Sequence, residues 1–390
     1  MFDNCVLHIG TEKTGTTSIQ GFLNLNRKKL SAQGFHVPIS FGRKEHIQLV
    51  NLFANNLKRF SKRNNLGLNT PEKIDAYKAT LGDKSRRELR DLSKRGGTLL
   101  LSSERLLPYI TTENEIRALS DFLYEHCKKV RIVCYIRPQH EFAISYFSTA
   151  LRTGHEKESI LPSVEIPSDL YKLDYNTVLN FWQKYFPAAD FSVRIFDRRE
   201  LVNSNVVYDY CDASGITIDN FLMPKSVNKS LKWQAQKFLM ELNKCGPAKY
   251  RGVRDTVLDE HFSGKGMLPT SAEAEAFFRV FDSSNELVRQ RFFPRRSQLF
   301  EVDFSSFPEK QPNYELTCAE AYRIFHTLFY ETAIGLEKQR KQLIEKNKQL
   351  IEKNKQLIEK NKQLIEKNKQ LVEKNKQLSK KRKPWKLKLR

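Results

Sequence analysis

No stretch of this 390-residue chain approaches the roughly 20 consecutive apolar residues that a bilayer-spanning helix needs. It opens almost at once on a strand-like run, without the charged start, apolar centre and small-residue cleavage site of a secretory leader. The expectation is therefore a cytoplasmic protein, peripheral to a membrane at most. Cysteine is sparse, and Cys5, Cys127, Cys134, Cys211, Cys245 and Cys318 show no Cys-x-x-Cys spacing, which argues against a zinc ribbon or a disulfide framework. Acidic residues are in deficit, with a net charge of +22. The excess is unevenly placed, since the segment from Leu336 to Arg390 carries +14 of it and leaves +8 for the first 335 residues. The larger part is thus only mildly basic. That balance suits the handling of anionic small molecules, and no base-reading motif points to nucleic acid.

The most informative segment runs Gly10-Thr11-Glu12-Lys13-Thr14-Gly15-Thr16-Thr17-Ser18, directly after the apolar run Cys5–Ile9. It reads as a strand, a tight loop and the start of a helix from Ser18 to about Leu30. Two glycines let backbone amides turn inward, hydroxyls add short donors, and the helix N-terminus favours an anion. A nucleotide-hydrolysing loop of the Walker type carries Lys directly after its second Gly, with a magnesium-binding hydroxyl behind it. Here Thr16 follows Gly15, and the lysine of the loop, Lys13, precedes it. So placed, it suits a single 5′-phosphate and the group leaving from it better than a γ-phosphate.

A second segment, Lys129–Ile136, is a β-branched run fit for a buried parallel strand, and it stops at Arg137-Pro138. Pro138 suits the first turn of a following helix, read here as Gln139 to Arg152. Arg137 at its start and Ser145 two turns on can reach one phosphate together, the guanidinium as a planar fork and the serine as a compact hydroxyl.

In these two elements the chain resembles the PAPS-dependent sulfotransferases. Their 5′-phosphosulfate loop follows the first strand with the pattern Lys-Thr/Ser-Gly-Thr-Thr, matched by Lys13-Thr14-Gly15-Thr16-Thr17, and their 3′-phosphate element is a strand-end Arg with Ser eight residues later, matched by Arg137 and Ser145-Tyr146. The resemblance covers Val6 to about Leu201 in motif order and, more loosely, 203 to about 304. It implies a P-loop-like α/β fold, PAPS as donor without a metal, Lys13 on the leaving-group side, and Lys13, Thr14, Gly15, Thr16, Thr17, Ser18, Arg137 and Ser145 around the donor. It is most like bacterial members that sulfate carbohydrates, so the implied acceptor is a hydroxyl of a glycan or glycoconjugate. Two departures stand out. Glu12 occupies the place where aryl-type cytosolic members carry Pro, and the basic-Gly segment that completes their 3′-phosphate site has no clear counterpart, with Lys225, Lys229 and Arg251 as candidates.

For the base, the resemblance implies Glu104, which ends the buried-strand candidate Thr98–Ser103 where several sulfotransferases carry a catalytic Glu or His. His46, in Arg43-Lys44-Glu45-His46, is the competing base because imidazole titrates in the right range. Arg43 and Lys44 are candidates for contact with an anionic acceptor.

The tail is a different kind of sequence. Five near-identical heptads, Lys-Gln-Leu-Ile-Glu-Lys-Asn, run from Lys341 to Asn375. Leu343 and every seventh residue to Leu378 fall at d of a coiled coil, and Asn347 and every seventh to Asn375 fall at a, with Ile beside the seam at e. An Asn at every a position predicts a weak, parallel homodimer whose register the repeat alone does not fix, because a slip of seven residues leaves nearly the same contacts. A solvated basic helix with no specific partner is the alternative. The last residues, 380–390, mix cations with Trp385 and Leu; they suit an anionic membrane surface at about 1 kcal/mol per basic residue, a nuclear-localisation-like run, or a frayed terminus.

Further strands are read at Thr98–Ser103 and Phe191–Phe196, the latter after an amphipathic helix near Tyr175 to Tyr185. Strands alternating with helices predict an α/β, P-loop-like three-layer domain with a central parallel sheet, followed by a C-terminal heptad-repeat coiled-coil helix. The expected organisation is a domain over 1–335, with a helical insert near 52–95 and an acceptor-side helical part near 225–330, then a coiled-coil helix over 336–379 and a basic tail over 380–390. Asn285 through Phe300 reads as one packed helix with cationic edges. Two readings of other classes remain beside sulfuryl transfer: a magnesium-dependent P-loop kinase or NTPase, against which stands the absence of a Lys after Gly15, and a non-catalytic scaffold organised by the coil.

Overall fold

The computed structural model of the chain describes residues 1–55, 57, 67–165, 170–224, 230–245 and 251–381. Lys225 and Lys229 and the tail beyond Lys381 lie outside the described residues, as does part of the basic stretch after residue 55. The chain divides into two compact units, Met1–Lys249 with Phe262–Thr317, and Tyr250–His261 with Cys318–Arg390.

The first unit is built on a five-stranded sheet of β1 (Phe2–Gly10), β2 (Phe35–His36), β3 (Thr98–Ser102), β4 (Cys127–Ile136) and β5 (Asp190–Ile195), in the order β2-β3-β1-β4-β5 and parallel throughout. This is the expected α/β architecture with a central parallel sheet. Parallel neighbours need crossovers, and helices supply them. The segment from β1 to β2 holds α1 (Thr16–Leu25) and α2 (Arg27–Ala32); α3 (Ile47–Phe53) and α4 (Pro71–Ser93) lead to β3; α5 (Leu106–Tyr109) and α6 (Glu113–His126) lead to β4; α7 (Gln139–Arg152) and α8 (Tyr175–Tyr185) lead to β5. After β5 come α9 (Val206–Ser214) and α10 (Trp233–Lys244), and later α12 (Ser271–Arg279) and α13 (Asp282–Phe292).

Strand residues alternate between the two faces of the sheet, and both faces are buried. Cys5, Leu7, Ile9, Leu99, Leu101, Ile132 and Cys134 pack with α3, α6 and α8, while Val6, Leu100, Val133 and Tyr135 pack with α1 and α9. The two layers explain why these strands are short runs of Leu, Ile, Val and Cys with little polar interruption. The polar exception is held by a buried carboxylate. Asp209 of α9, 3% exposed, accepts from the Tyr135 hydroxyl at 2.8 Å, Arg194 Nε at 2.7 Å and the Val202 amide at 3.1 Å.

Two helical expectations are corrected. The helix read from Ser18 to Leu30 starts at Thr16 and is broken at Asn26, whose side chain donates to the carbonyls of Phe22 and Leu222 and accepts from the Leu222 amide, satisfying the end of α1 and turning the chain into α2. The helix read over Asn285–Phe300 is α13, which stops at Phe292; Phe293 precedes Pro294, and a residue before proline is disfavoured in the helical region.

The second unit pairs α11 (Arg251–His261) with the 64-residue helix α14 (Cys318–Lys381), which runs without interruption through the heptads. At 1.5 Å per residue it is about 96 Å long. Among the described residues no helix is long and apolar enough to cross a membrane.

Replacing Asp209 by Ala strands three donors, two of them on buried or half-buried side chains, and is expected to cost on the order of 3 kcal/mol of unfolding free energy. Urea unfolding checks this; a loss well under 1 kcal/mol would mean that the network does not hold α9 to the sheet.

Candidate functional site

Because β3, β1 and β4 are parallel neighbours, their carboxyl ends open at one edge, and the loop after β1 lies between Glu104 after β3 and Arg137 after β4. Ligands of open α/β sheets collect at such an edge. The loop is folded onto its neighbours by named bonds. The Thr11 amide donates to the Tyr135 carbonyl at 2.9 Å, and the Thr14 hydroxyl to the Thr11 carbonyl at 2.6 Å. The Thr14 hydroxyl is thus turned into the loop, and what Thr14 can offer a ligand is its backbone.

Both glycines are required by geometry. Gly10 has φ of 109°, and a Cβ on it would lie 3.1 Å from the Glu104 Cα; Gly15 has φ of 74°, and a Cβ there would lie 2.8 Å from Val206 and 3.0 Å from the Phe196 ring. Gly15 is the N-cap of α1 and no side chain caps the helix; the Ser18 amide donates to the Gly15 carbonyl at 2.9 Å, and the amides of Thr16 and Thr17 are left to an incoming group. Thr16 is buried, and Thr17 and Ser18 are half-buried on that turn. Lys13 is left-handed, with φ of 67°, a conformation that costs a side-chain-bearing residue about 1–2 kcal/mol.

Lys13 is also where the charges converge. Its Nζ donates to the Thr149 hydroxyl of α7 at 2.8 Å. Burial lowers its pKa, Glu12 pulls it back up, Arg137 and Arg152 push it down again, and Glu104 raises it. Arg137 donates from Nη1 to the Lys13 carbonyl at 3.0 Å and from Nη2 to Glu141 at 2.6 Å, and its guanidinium lies 5.6 Å over the Phe196 ring. Its Nε is buried without a hydrogen-bond partner. The Arg137 carbonyl in turn accepts from the Tyr175 hydroxyl at 2.7 Å. Ser145 is half-buried on α7, one turn before Thr149. The structure therefore brings together the loop, Lys13, Arg137 and the α7 face that bears Ser145.

Two carboxylates form the other wall. Glu104 accepts from Gln20 of α1 at 2.5 Å. Glu45 accepts from Arg105 Nε at 2.8 Å and from the Ser103 hydroxyl at 3.5 Å. Burial, and next the charge on Glu104, push the Glu45 carboxyl up to about 7, against the pull of Arg105. Lys172 lies 3.6 Å from Glu12 and 3.3 Å from the centre of the Tyr146 ring.

His46 is not brought into this group. It is 1% exposed, its Nδ1 accepts from the Ser102 amide at 3.0 Å and its Nε2 lies 3.2 Å from the Pro38 carbonyl. Burial, with Arg27 adding to it, lowers its pKa to about 3, so it is a neutral tie between β3 and the start of α3. Both ring nitrogens being engaged, the base role read for His46 has no geometry here. Arg251 begins α11 in the second unit, and nothing is assigned to its side chain. Sequence reading passed over Thr149, Gln20, Glu141 and Glu45. Thr149 and Glu141 were within reach of a spacing argument, each one helical turn from a residue already singled out. Gln20 and Glu45 meet their partners only through the tertiary fold. Among the described residues no cluster of His, Cys, Asp and Glu could hold a metal ion.

No protein-family model matches the chain. It is 23% identical over 238 residues to an uncharacterised protein of Archaeoglobus fulgidus, a match that covers 51% of this chain and 64% of that protein's length, a little under two thirds. Among solved structures it is similar to a sulfotransferase from Alicyclobacillus acidocaldarius, with a TM-score of 0.35 and 16% identity over 61% of this chain and 91% of that one. It is also similar to a structure from the PezAT chromosomal toxin-antitoxin system of Streptococcus pneumoniae, with a TM-score of 0.24 and 12% identity over 63% of this chain and 85% of that one. Likenesses this distant carry no functional argument, and the chemistry of the site rests on its own residues.

The left-handed Lys13 gives a test that separates strain from ordinary side-chain loss. Lys13→Gly is expected to be more stable than Lys13→Ala by about 1 kcal/mol, because only glycine adopts φ of 67° freely. Thermal unfolding of the two variants side by side checks it; equal stability would mean that the loop relaxes when the lysine is removed.

Proposed function

We propose that this chain transfers a sulfuryl group from PAPS to a hydroxyl of a carbohydrate or glycoconjugate acceptor by in-line displacement. The observation that carries the reading is the hydrogen bond from Arg137 to the Lys13 carbonyl, which joins a loop suited to a 5′-phosphate to an arginine suited to a 3′-phosphate. The buried, unpartnered Nε of Arg137 and the uncapped first turn of α1 are donors of the kind a bis-phosphate would use. Thr16, Thr17, Ser18 and Ser145 supply further donors around them.

In the reaction, a bond forms between the acceptor oxygen and sulfur as the bond from sulfur to the 5′-phosphate oxygen breaks. Lys13 Nζ, held by Thr149, faces the charge that appears on the departing phosphate. Glu104, fixed by Gln20, takes the acceptor proton. Glu45, beside it, is raised to about 7 by burial and next by the charge on Glu104, so that it gains its own charge near neutrality. Exposed Arg43 and Lys44, next to Glu45, support an acceptor that carries negative charge of its own. The same residues explain why nucleotide hydrolysis is the weaker reading, since Lys13 is directed to α7 rather than along the loop.

Arg137 already has an anionic partner, Glu141, which a phosphate has to replace. Calorimetric titration with PAP is expected to show magnesium-independent binding that is lost in Lys13→Ala and Arg137→Ala, and to be about tenfold tighter in Glu141→Gln, where that competition is removed. Absence of PAP binding by a folded wild-type chain, or binding of ATP in its place with magnesium, would overturn the assignment. Once an acceptor is in hand, kcat/KM is expected to rise as pH passes through about 7, where Glu45 gains the negative charge that favours removal of the acceptor proton beside it, and Glu45→Gln is expected to abolish that rise. A profile unchanged by Glu45→Gln would exclude Glu45 as the source of the rise.

A further inference from the structure

The heptads occupy only part of α14, and their period does not begin with them. Counting back by sevens from Leu343 reaches Leu336, Phe329 and Tyr322, all large and apolar. These three and the leucines from Leu343 to Leu378 are between 51% and 67% exposed along the whole row. The seam therefore starts three heptads ahead of the repeat. The opposite face of α14 is the one engaged within the unit. Ile324, an f position, is buried, and Glu331, the next f position, lies 3.9 Å from His261 of α11, which packs on α14.

We propose that α14 pairs, parallel and in register, with α14 of a second copy of this chain along Tyr322–Leu378, a seam of about 85 Å, and that the non-repeated segment from Tyr322 to Arg340 sets the register. The repeated asparagines identify the occupant. In a parallel, in-register pair each a-position Asn from Asn347 to Asn375 meets its own counterpart and the amides bond to one another. In an antiparallel pair, a positions pack against d positions, so each amide would be buried against leucine, and an unmatched apolar partner would strand all of them.

The first three heptads then resolve the ambiguity that the repeats leave. In register, Phe325 at g faces Tyr330 at e of the second copy; both are 56% exposed in the single chain. A slip of one heptad sets Phe325 against Glu337 and leaves Tyr322 without a layer. Lysines at g and b bring like charges together along the repeats, so the association is expected to strengthen as salt rises. This pairing goes beyond the sulfuryl-transfer reading and does not depend on it.

Sedimentation velocity of the full chain at tens of micromolar is expected to show a dimer that weakens on dilution and strengthens with salt. The double variant Leu350→Lys with Leu364→Lys, at positions exposed in the single chain, is expected to sediment as a monomer with an unchanged melting temperature. For the register, Asn354→Cys on a Cys245→Ser, Cys318→Ser background is expected to form a disulfide-linked dimer on oxidation. When it is mixed with a size-tagged Asn361→Cys chain, the mixed dimer should be at least about tenfold scarcer than either like dimer, and Tyr322→Ser with Phe329→Ser should raise it to parity. A wild-type monomer at every concentration, a trimer or tetramer, or failure of Asn354→Cys to link to itself would overturn the pairing. Equal like and mixed dimers in the otherwise wild-type seam would overturn the register.

Discussion

Everything at the candidate site depends on β1 lying between β3 and β4 in a parallel sheet. That neighbour relation brings the loop after β1 against Glu104 on one side and Arg137 on the other, and the Arg137 bond to the Lys13 carbonyl closes the arrangement. Arg137 is held from several directions, by the Phe196 ring, by Glu141 and, through its own carbonyl, by Tyr175. A side chain so restrained has lost its freedom before any ligand arrives, so little ordering is left to oppose binding. Gly10 and Gly15 permit the close approach, and the left-handed Lys13 is part of its cost.

The two walls of the site differ in character. Around Lys13 and Arg137 the charges are cationic and partly unanswered, the environment a bis-anionic donor requires. On the other wall Glu45 is held by Arg105 and Ser103 and Glu104 by Gln20, and burial leaves Glu45 able to exchange a proton near neutral pH. His46, chemically the more obvious base, is used up in holding Ser102 and Pro38 together. The difference between the two candidates is one of placement rather than of intrinsic acidity.

Much of the fold was legible because buried parallel strands and amphipathic helices leave strong marks. The runs at Thr98 and Phe191 match β3 and β5 to within a residue, and the helices read at Gln139–Arg152 and Tyr175–Tyr185 have the observed bounds. What escaped was local chemistry acting at a distance. Asn26 ends α1 through a bond to Leu222, far along the chain, and β2 is two residues long, too short for any period to show. Pro294 was a readable stop that the Arg- and Phe-rich composition around it obscured. At the candidate site the loop and the strand-end arginine were visible as motifs, whereas the burial of His46 and the meeting of Gln20 with Glu104 arise only when the sheet is assembled. The seam of α14 shows the reverse case: the repeats drew attention to themselves, while the aromatic heptads before them carry the same phase without the same words.

The most direct measurement is a crystal structure of the chain with PAP bound. The account predicts the 5′-phosphate on the amides of Lys13 to Thr17 with Lys13 Nζ beside it, the 3′-phosphate on Arg137 and Ser145, and Glu141 displaced from the guanidinium. PAP bound elsewhere, or at this edge with the Arg137–Glu141 pair intact, would contradict it.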